Sequence, residues 1–451
     1  MSEQMVRDGT ILILGGGPAG GAVALGLRQL GYEVTLVAEP RPFMAVEGIS
    51  EGVVEGLRNA GFSFALRDLT GPSPRTASWN GDTYTANTER LINRTEMDKG
   101  ILLDLKSSGV HVVEGRAGKI TAFGNGYQVE VVSGDHNLLI PARFMVEARG
   151  RTAPAVGLEC LRGAETVSLL QYWQGEPCEP QSASESFVDG WAWMAAWSDG
   201  TRYLQLTFDA ATTDLPEKPK LLDLLDYSTG ILKTLKNAQL FLTGAEPTGE
   251  VYARTSTPIL CCEAVGDDWI RVGDAAMAAD PLSGNGIFQT LSSALQAPAV
   301  INTLIQQPQK AGLAKRFYQE RLNNLFYRFV RTGRDLYSTE KQWPASSFWS
   351  MRRSWPDLQP VHQELDPASV HVAMRPVVSN GLIVEEEVVI TNDEPLGIWH
   401  LNGMAMAPVA KAIKQRRQHE PIERCLIREV GIPAEQSIPL AQWLYSHKWV
   451  A

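Results

Sequence analysis

Gly15, Gly17 and Gly20, within "ILILGGGPAGGAVALGLRQLGYEVTLVAE", fit the spacing G-x-G-x-x-G. In a loop of that form one glycine makes the tight turn, a second lets a pyrophosphate approach the backbone and a third lets a helix pack on its strand. Glu39, just beyond the second apolar run, is placed to accept hydrogen bonds from a ribose. The chemistry is dinucleotide binding, and this loop alone does not separate NAD from FAD. A second cluster, "GDAAMAADPLSGNGI" (273–287), sets Asp274, Asp280 and Pro281 ahead of Ser283, Gly284 and Gly286. Small residues there leave the first turn of a following helix bare, so that a ligand can come close to the backbone. The seven histidines form no H-x-x-x-H or H-E-x-x-H pattern and the five cysteines no C-x-x-C pair, so no metal site is expected.

The elements that carry these residues are legible around them. Ile11 to Leu14 is short, apolar and rich in β-branched residues, as a buried parallel strand is. Pro18 opens a helix whose free N–H groups face the phosphates, and Tyr32 to Val37 reads as a second strand. "INRTEMDKGILLDLKSSGVHVVEG" (92–115) places Arg94 and Asp98 before an amphipathic helix, then a glycine and a strand, a unit that extends a doubly wound sheet. "ARFMVEARGRTAP" (142–154) ends another strand at a glycine. "WIRVG" (269–273) brings Asp274 to the end of a parallel strand, the ligand edge of such sheets. "FVDGWAWMAAWSDGTRYLQLTFD" (187–209) reads as an antiparallel meander with D-G turns at 189–190 and 199–200. Trp191, Trp193 and Trp197 alternate along one strand and share a face, as core packing or as a pocket wall. After about residue 310 the spacing turns helical, and the tail from 356 mixes a strand region, "GLIVEEEVVIT", with short helices.

A chain of 451 residues exceeds what one core usually serves, so two or three domains are expected. The divisions expected are 1–160 with 250–310, then 161–249, then 311–451. A net charge of -10 without a long basic block argues against nucleic acid or anionic membrane as partner. The basic stretch "KAIKQRR" (411–417) reads as a solvated helix face. An odd set of cysteines points to a reduced, cytoplasmic protein, and the uncharged stretch 11–27 is too glycine-rich, and too poor in basic residues ahead of it, for a signal or span.

Taken in order, the segments of Gly15 to Gly20, of Arg94 and Asp98, of Gly273 and Asp274, and of Asp280 to Gly286 resemble the flavoprotein monooxygenase and flavin-dependent halogenase superfamily over roughly the first 310 residues. The resemblance implies bound FAD and an α/β fold. That fold is a Rossmann-like FAD-binding domain of glutathione-reductase type, an antiparallel β-sheet substrate domain and a mostly helical C-terminal region. It implies that Arg94 and Asp98 lie by the FAD, that Gly273 and Asp274 touch the ribityl chain, and that Asp280, Pro281, Gly284 and Gly286 curl past the flavin ring. "EARGR" (147–151) is closer to the halogenase-like "DASGR" form than to the hydroxylase D-G. Glu47 matches the acid of that branch's G-E-S segment, with Gly48 where serine is usual. Trp191 and Trp193 keep a halogenase spacing but lack the Ile-Pro that follows, and no lysine lies between 42 and 98, where a halogenase carries its catalytic lysine. Halogenation is therefore not expected.

"EKQWPASSFWSMRR" (340–353) is similar to strings in a narrower group, the flavoproteins that build cysteine tryptophylquinone in quinoprotein amino-acid oxidases of the lysine ε-oxidase and glycine oxidase type. That resemblance implies an FAD-dependent oxygenase acting on a tryptophan of a precursor oxidase, with molecular oxygen and an external electron donor. Glu47 and Asp280 are then the candidates for positioning or proton handling, and Trp191 and Trp193 for the substrate pocket. Two rival functions share the same features: a small-molecule aromatic hydroxylase or oxidoreductase of this fold, and a flavin-containing chaperone for the partner oxidase.

Overall fold

A computed structural model describes residues 10–155, 157–213, 215–216, 218–284, 286–417 and 419–450. Packing divides the chain into one unit of Met1–Pro298 with Leu322–Gln359 and a second of Ala299–Arg321 with Pro360–Ala451.

The first unit is built on two large sheets, with two three-stranded sheets besides, Arg116–Phe123/Gly126–Ser133/His136–Ala142 and Cys160–Arg162/Ile259–Cys261/Met277–Ala278. In the five-stranded sheet Ile11–Leu14 is central, flanked by Phe144–Glu147 and Val34–Ala38, with Trp269–Arg271 and His111–Glu114 at the edges. All neighbours are parallel. Its strands are short apolar runs because both faces are covered: Ile11, Leu12, Ile13 and Leu14 are fully buried. The helix Pro18–Gln29 follows the central strand directly, so the carboxyl ends of the strands and the amino end of this helix meet at one edge.

The eight-stranded sheet runs in the order Ala245–Thr255, Val167–Gly175, Thr201–Phe208, Gly190–Ala196, Gln181–Phe187, Ser73–Trp79, Asp82–Asn93, Val46–Ile49. Period-two alternation sorts its residues. Ala192, Met194 and Ala196 face the helices Leu221–Thr234 and Ala238–Leu242 with Leu204, Leu206, Leu232 and Phe241, whereas Trp191, Trp193 and Ala195 face the other way. The meander and its two D-G turns are where the spacing places them. The sheet departs from expectation in extent and in sense. It recruits the hairpin Ser73–Trp79/Asp82–Asn93 and the strand Val46–Ile49 from the N-terminal region, and one pair, Gln181–Phe187 beside Ser73–Trp79, is parallel. The hairpin closes on Asn80-Gly81, both at positive φ (53° and 85°), a turn whose twist matches that of its strands.

The break expected at 311 also falls elsewhere. Residues 322–359 pack with the first unit because Phe348 and Trp349 are fully buried against Trp79, Trp191 and Tyr337. The helix Ala311–Thr339 is continuous through that division. In the second unit, Asn380-Gly381 turns the hairpin His371–Ser379/Leu382–Ile390. The helices Met406–Lys414, Ile422–Val430 and Ala434–Ser446 close a core of Val389, Met406, Val409, Ile422, Leu426 and Leu444. Lys411, from the basic stretch, is exposed and pairs with Glu387.

Candidate functional site

The glycine loop divides its labour by space. A Cβ on Gly15 would lie 2.3 Å from the Ala148 carbonyl oxygen, and one on Gly20 would lie 2.0 Å from the Gly15 carbonyl oxygen. Both positions exclude any side chain because strand, loop and helix touch there. At Gly17 a Cβ would meet nothing within 4 Å. Gly17 caps the helix Pro18–Gln29 without a side-chain hydrogen bond, so the helix presents uncapped N–H groups and its positive end to that open space. Glu39 is exposed immediately after the strand Val34–Ala38.

The helix Arg94–Ser107, which meets the loop and first helix through Leu102 near Gly16 and Ile101 near Gly21, has its amino end capped by the Asn93 side chain. Arg94 opens the helix rather than preceding it and donates to Glu47 Oε1 at 2.6 Å and to Asp98 Oδ1 at 3.4 Å. Arg41 donates twice to Asp98 Oδ2, at 3.0 and 2.9 Å. Four alternating charges thus link the strand Val46–Ile49 to the helix. Burial opposes the Arg94 cation, but Glu47 and Asp98 outweigh it and hold its pKa above the ordinary arginine value. Burial likewise pushes Glu47 up, and Arg94, Arg254 and Arg41 together leave it below the usual carboxylate range. Two buried atoms here, Arg94 Nε and Thr95 Oγ1, have no hydrogen-bond partner among the described residues. Unpaired buried polar atoms are rare and costly, so this helix start is shaped for a polar ligand. The open cradle at Gly17 and these two atoms fit a dinucleotide such as FAD.

Gly48 explains its own departure from serine. A Cβ there would sit 2.3 Å from the carboxyl group of Glu89, which is buried and takes a hydrogen bond from Ser182. The Glu89 carboxylate fills the room that a serine side chain would need.

The loop 273–287 lies at the end of Trp269–Arg271. Gly273, at φ 59°, approaches the first helix so closely that a Cβ would be 2.7 Å from that of Ala19. Asp274 accepts from Thr290 at 3.3 Å and faces Arg151 at 3.5 Å. Asp280 is buried and caps the short turn Pro281–Ser283 through the Leu282 N–H. Gly284 takes the left-handed conformation at φ 64°, and Cβ atoms on Gly284 or Gly286 would meet nothing within 4 Å. The small residues therefore border open space; Asn285 lies outside the described residues. Burial raises the Asp280 pKa against the pull of Arg352, the Leu282 N–H, Tyr337 and Arg151.

The sheet face away from its helices carries Tyr172, Tyr203 and Tyr252 with Phe43 stacked on Tyr252, ring centroids 4.7 Å apart. Trp193 is half-buried, edge-on to Tyr203 at 5.7 Å. Trp197 and Tyr203 help line a cavity of about 50 Å³ with Met44, Val46 and Asn93. Trp191 is instead buried in the cluster around Trp349, so it packs as core. Of the expected site residues, Glu47, Arg94 and Asp98 form one bonded cluster, while Asp280 stands apart from it with other partners. Arg41, Arg151 and Tyr337 were not foreseen. Only Arg151 had a signal, as the last residue of "EARGR". Among the described residues no helix is long and apolar enough to cross a membrane, and no group of three or more His, Cys, Asp or Glu is placed to hold a metal ion.

No family model matches the chain. The solved structure of QhpG, a peptidyl tryptophan dihydroxylase essential for tryptophylquinone cofactor biogenesis, is similar at 46% identity, covering 98% of this chain and 100% of that one with a TM-score of 0.86. A tryptophan 2-halogenase of Chondromyces crocatus is 24% identical over 396 residues, 80% of this chain and 73% of its own. LodB of Marinomonas mediterranea, described as an FAD-dependent oxidoreductase, is 23% identical over 370 residues, 77% of this chain and 98% of its own.

Proposed function

We propose, because this chain belongs to the flavoprotein family of the peptidyl tryptophan dihydroxylase QhpG, that it is an FAD-dependent oxygenase of a tryptophan side chain in a partner protein, acting during tryptophylquinone formation. The observation that carries the reading is the likeness to QhpG over the full length of both chains. As partner we propose a precursor quinoprotein amino-acid oxidase of the glycine or lysine type, and the odd number of cysteines, five, supports a reducing, cytoplasmic setting.

FAD, when bound, supplies oxygen activation with electrons from an external donor, chemistry that suits an electron-rich indole and asks for no side-chain nucleophile. The residues do the rest. The uncapped helix after Gly17 and the Arg94 to Thr95 helix start hold the dinucleotide, and Glu39 its ribose. Glu47, kept as a carboxylate, accepts a hydrogen bond from the substrate's indole N–H. The ring edges and faces of Trp193, Tyr203, Tyr172 and Tyr252 orient the indole and exclude water.

Coexpression with a precursor oxidase, read by intact mass and tryptic mapping, tests this. One tryptophan is expected to gain oxygen only when the FAD-loaded protein is present. A precursor that gains its quinone without this protein sinks the reading, and the same gain with a folded variant that holds no FAD sinks oxygenation and favours a chaperone.

A further inference from the structure

Asp280 has a partner on an element far from its own loop. Tyr337, on the helix Ala311–Thr339, donates from Oη to Asp280 Oδ1 at 2.9 Å, and its oxygen lies 3.2 Å from Trp191 Nε1. All three side chains are buried. An indole N–H can only donate, so the Tyr337 oxygen must accept from Trp191 and its single hydrogen is committed to Asp280. The direction of the chain is thereby fixed from the eight-stranded sheet to the loop. Edge-to-face contacts with Phe348 at 5.8 Å and Trp349 at 5.8 Å hold the phenol ring in place. A cavity of about 20 Å³, lined by Asp280, Tyr337, Arg334 and Arg352, lies against both partners. It has room for about one water with several polar neighbours.

We propose that Tyr337 is the positioning residue of Asp280: held by Trp191, it fixes the carboxyl at the start of the flavin loop by donating, with the Leu282 N–H, to Oδ1 and, with one water in the adjoining cavity, sets when the other carboxyl oxygen, Oδ2, takes up or gives back a proton. This rests on reading residues 280–286 as the loop beside the flavin. Trp191 cannot pass a proton onward, so the route of exchange is the cavity and not the sheet. The charged and titratable groups that face Asp280 are Arg151 from the turn Gly150–Thr152, Arg352 from the helix Ser347–Ser354, and Tyr337 itself; Arg334 shares the cavity wall.

The test is a pH titration of the protonated-carboxyl band by difference infrared spectroscopy, run on the FAD-loaded protein and on the same protein without FAD, with flavin absorbance followed in parallel. Tyr337→Phe keeps the ring and removes one hydrogen bond to the charged form, so the Asp280 midpoint should rise by about one to two pH units. Trp191→Phe keeps that bond and should move the midpoint much less, and Asp280→Asn should abolish the band. An unmoved midpoint in Tyr337→Phe, equal shifts in both aromatic variants, or a band that survives Asp280→Asn overturns the proposal. If the infrared shifts appear but flavin absorbance never follows them, Tyr337 positions Asp280 and the flavin-loop reading is what fails.

Discussion

Gly17 and Gly20 lie three residues apart, at the cap and in the first turn of the helix Pro18–Gln29, yet replacing each by alanine should break different things. Gly17 has φ -78°, which alanine adopts freely, and its added methyl would meet nothing within 4 Å. Gly17→Ala should therefore leave the apo fold intact, or steadier by about 0.4–1 kcal/mol through a less flexible unfolded chain. The methyl would nevertheless stand where a pyrophosphate must approach the uncapped N–H groups. Losing one charge-assisted hydrogen bond there costs about 1.5–3 kcal/mol, which weakens FAD binding about tenfold to a hundredfold. In Gly20→Ala the methyl would lie 2.0 Å from the Gly15 carbonyl oxygen and 3.2 Å from the Ala148 side chain. Backbone must shift to admit it, at a cost of about 1–3 kcal/mol or more in the apo protein. Urea unfolding of both apo variants and FAD titration by fluorescence quenching separate the two effects. Wild-type FAD affinity in Gly17→Ala, or a Gly17→Ala apo protein as unstable as Gly20→Ala, would refute the assignment of open space to the ligand.

Gly286→Val should behave like Gly17→Ala, folding normally but purifying with little flavin, since a Cβ there would meet no described atom within 4 Å beyond its chain neighbours and its own helix; absorbance of the purified protein checks it. Arg94→Met should weaken FAD binding and cost about 3 kcal/mol, the low end for breaking a buried pair, because the Glu47 side chain is 27% exposed. The same variant should flatten the acid limb of the stability curve. Glu47 has a folded pKa below its unfolded one, so its contribution is present above the unfolded value and lost as pH falls through the folded value, and thermal melts from neutral to acid pH read the difference. Gly48→Ser should lose about 1–3 kcal/mol by displacing the Glu89 carboxyl. In a Gly48→Ser, Glu89→Ala double variant the two losses should fall short of adding, as denaturation curves would show.

The nucleotide half of this fold was legible because its signals are local. Gly15 to Glu39 is one strand, turn, helix and strand in unbroken sequence, and each residue type answers a need set by its immediate neighbours. Asp189-Gly190 and Asp199-Gly200 marked the meander for the same reason. The pairings that escaped join residues remote in sequence. Nothing in "RDLYSTEK" marks Tyr337 as the partner of Asp280, and nothing around Arg41 shows that its guanidinium reaches Asp98. The shared face of Trp191 and Trp193 followed from strand period, but the fuller burial of Trp191 did not, because the segment 340–353 that encloses it arrives from far along the chain. The same aromatic segment, whose likeness to tryptophylquinone-building flavoproteins pointed to function, proves to be packing material for the sheet: Trp349 donates to the Phe187 and Val188 carbonyls, and Arg352 to Glu165 and Thr166.

The two large sheets of the first unit are threaded through each other in sequence. Val46–Ile49 and Asp82–Asn93 of the large sheet fall between Val34–Ala38 and His111–Glu114 of the small one, and Trp269–Arg271 returns to the small sheet after Ala245–Thr255 has finished the large. A nascent chain therefore cannot complete the nucleotide layer first and add the substrate layer afterwards. Until the segment near residue 270 has left the ribosome, the strand beside Phe144–Glu147 is missing and that edge is open. Such long-range pairing makes for slow folding and exposes unpaired edges to aggregation in the meantime. The segment from Gly273, which we propose lies beside the flavin, follows that last strand directly, so it is placed only after the strands of both large sheets have emerged.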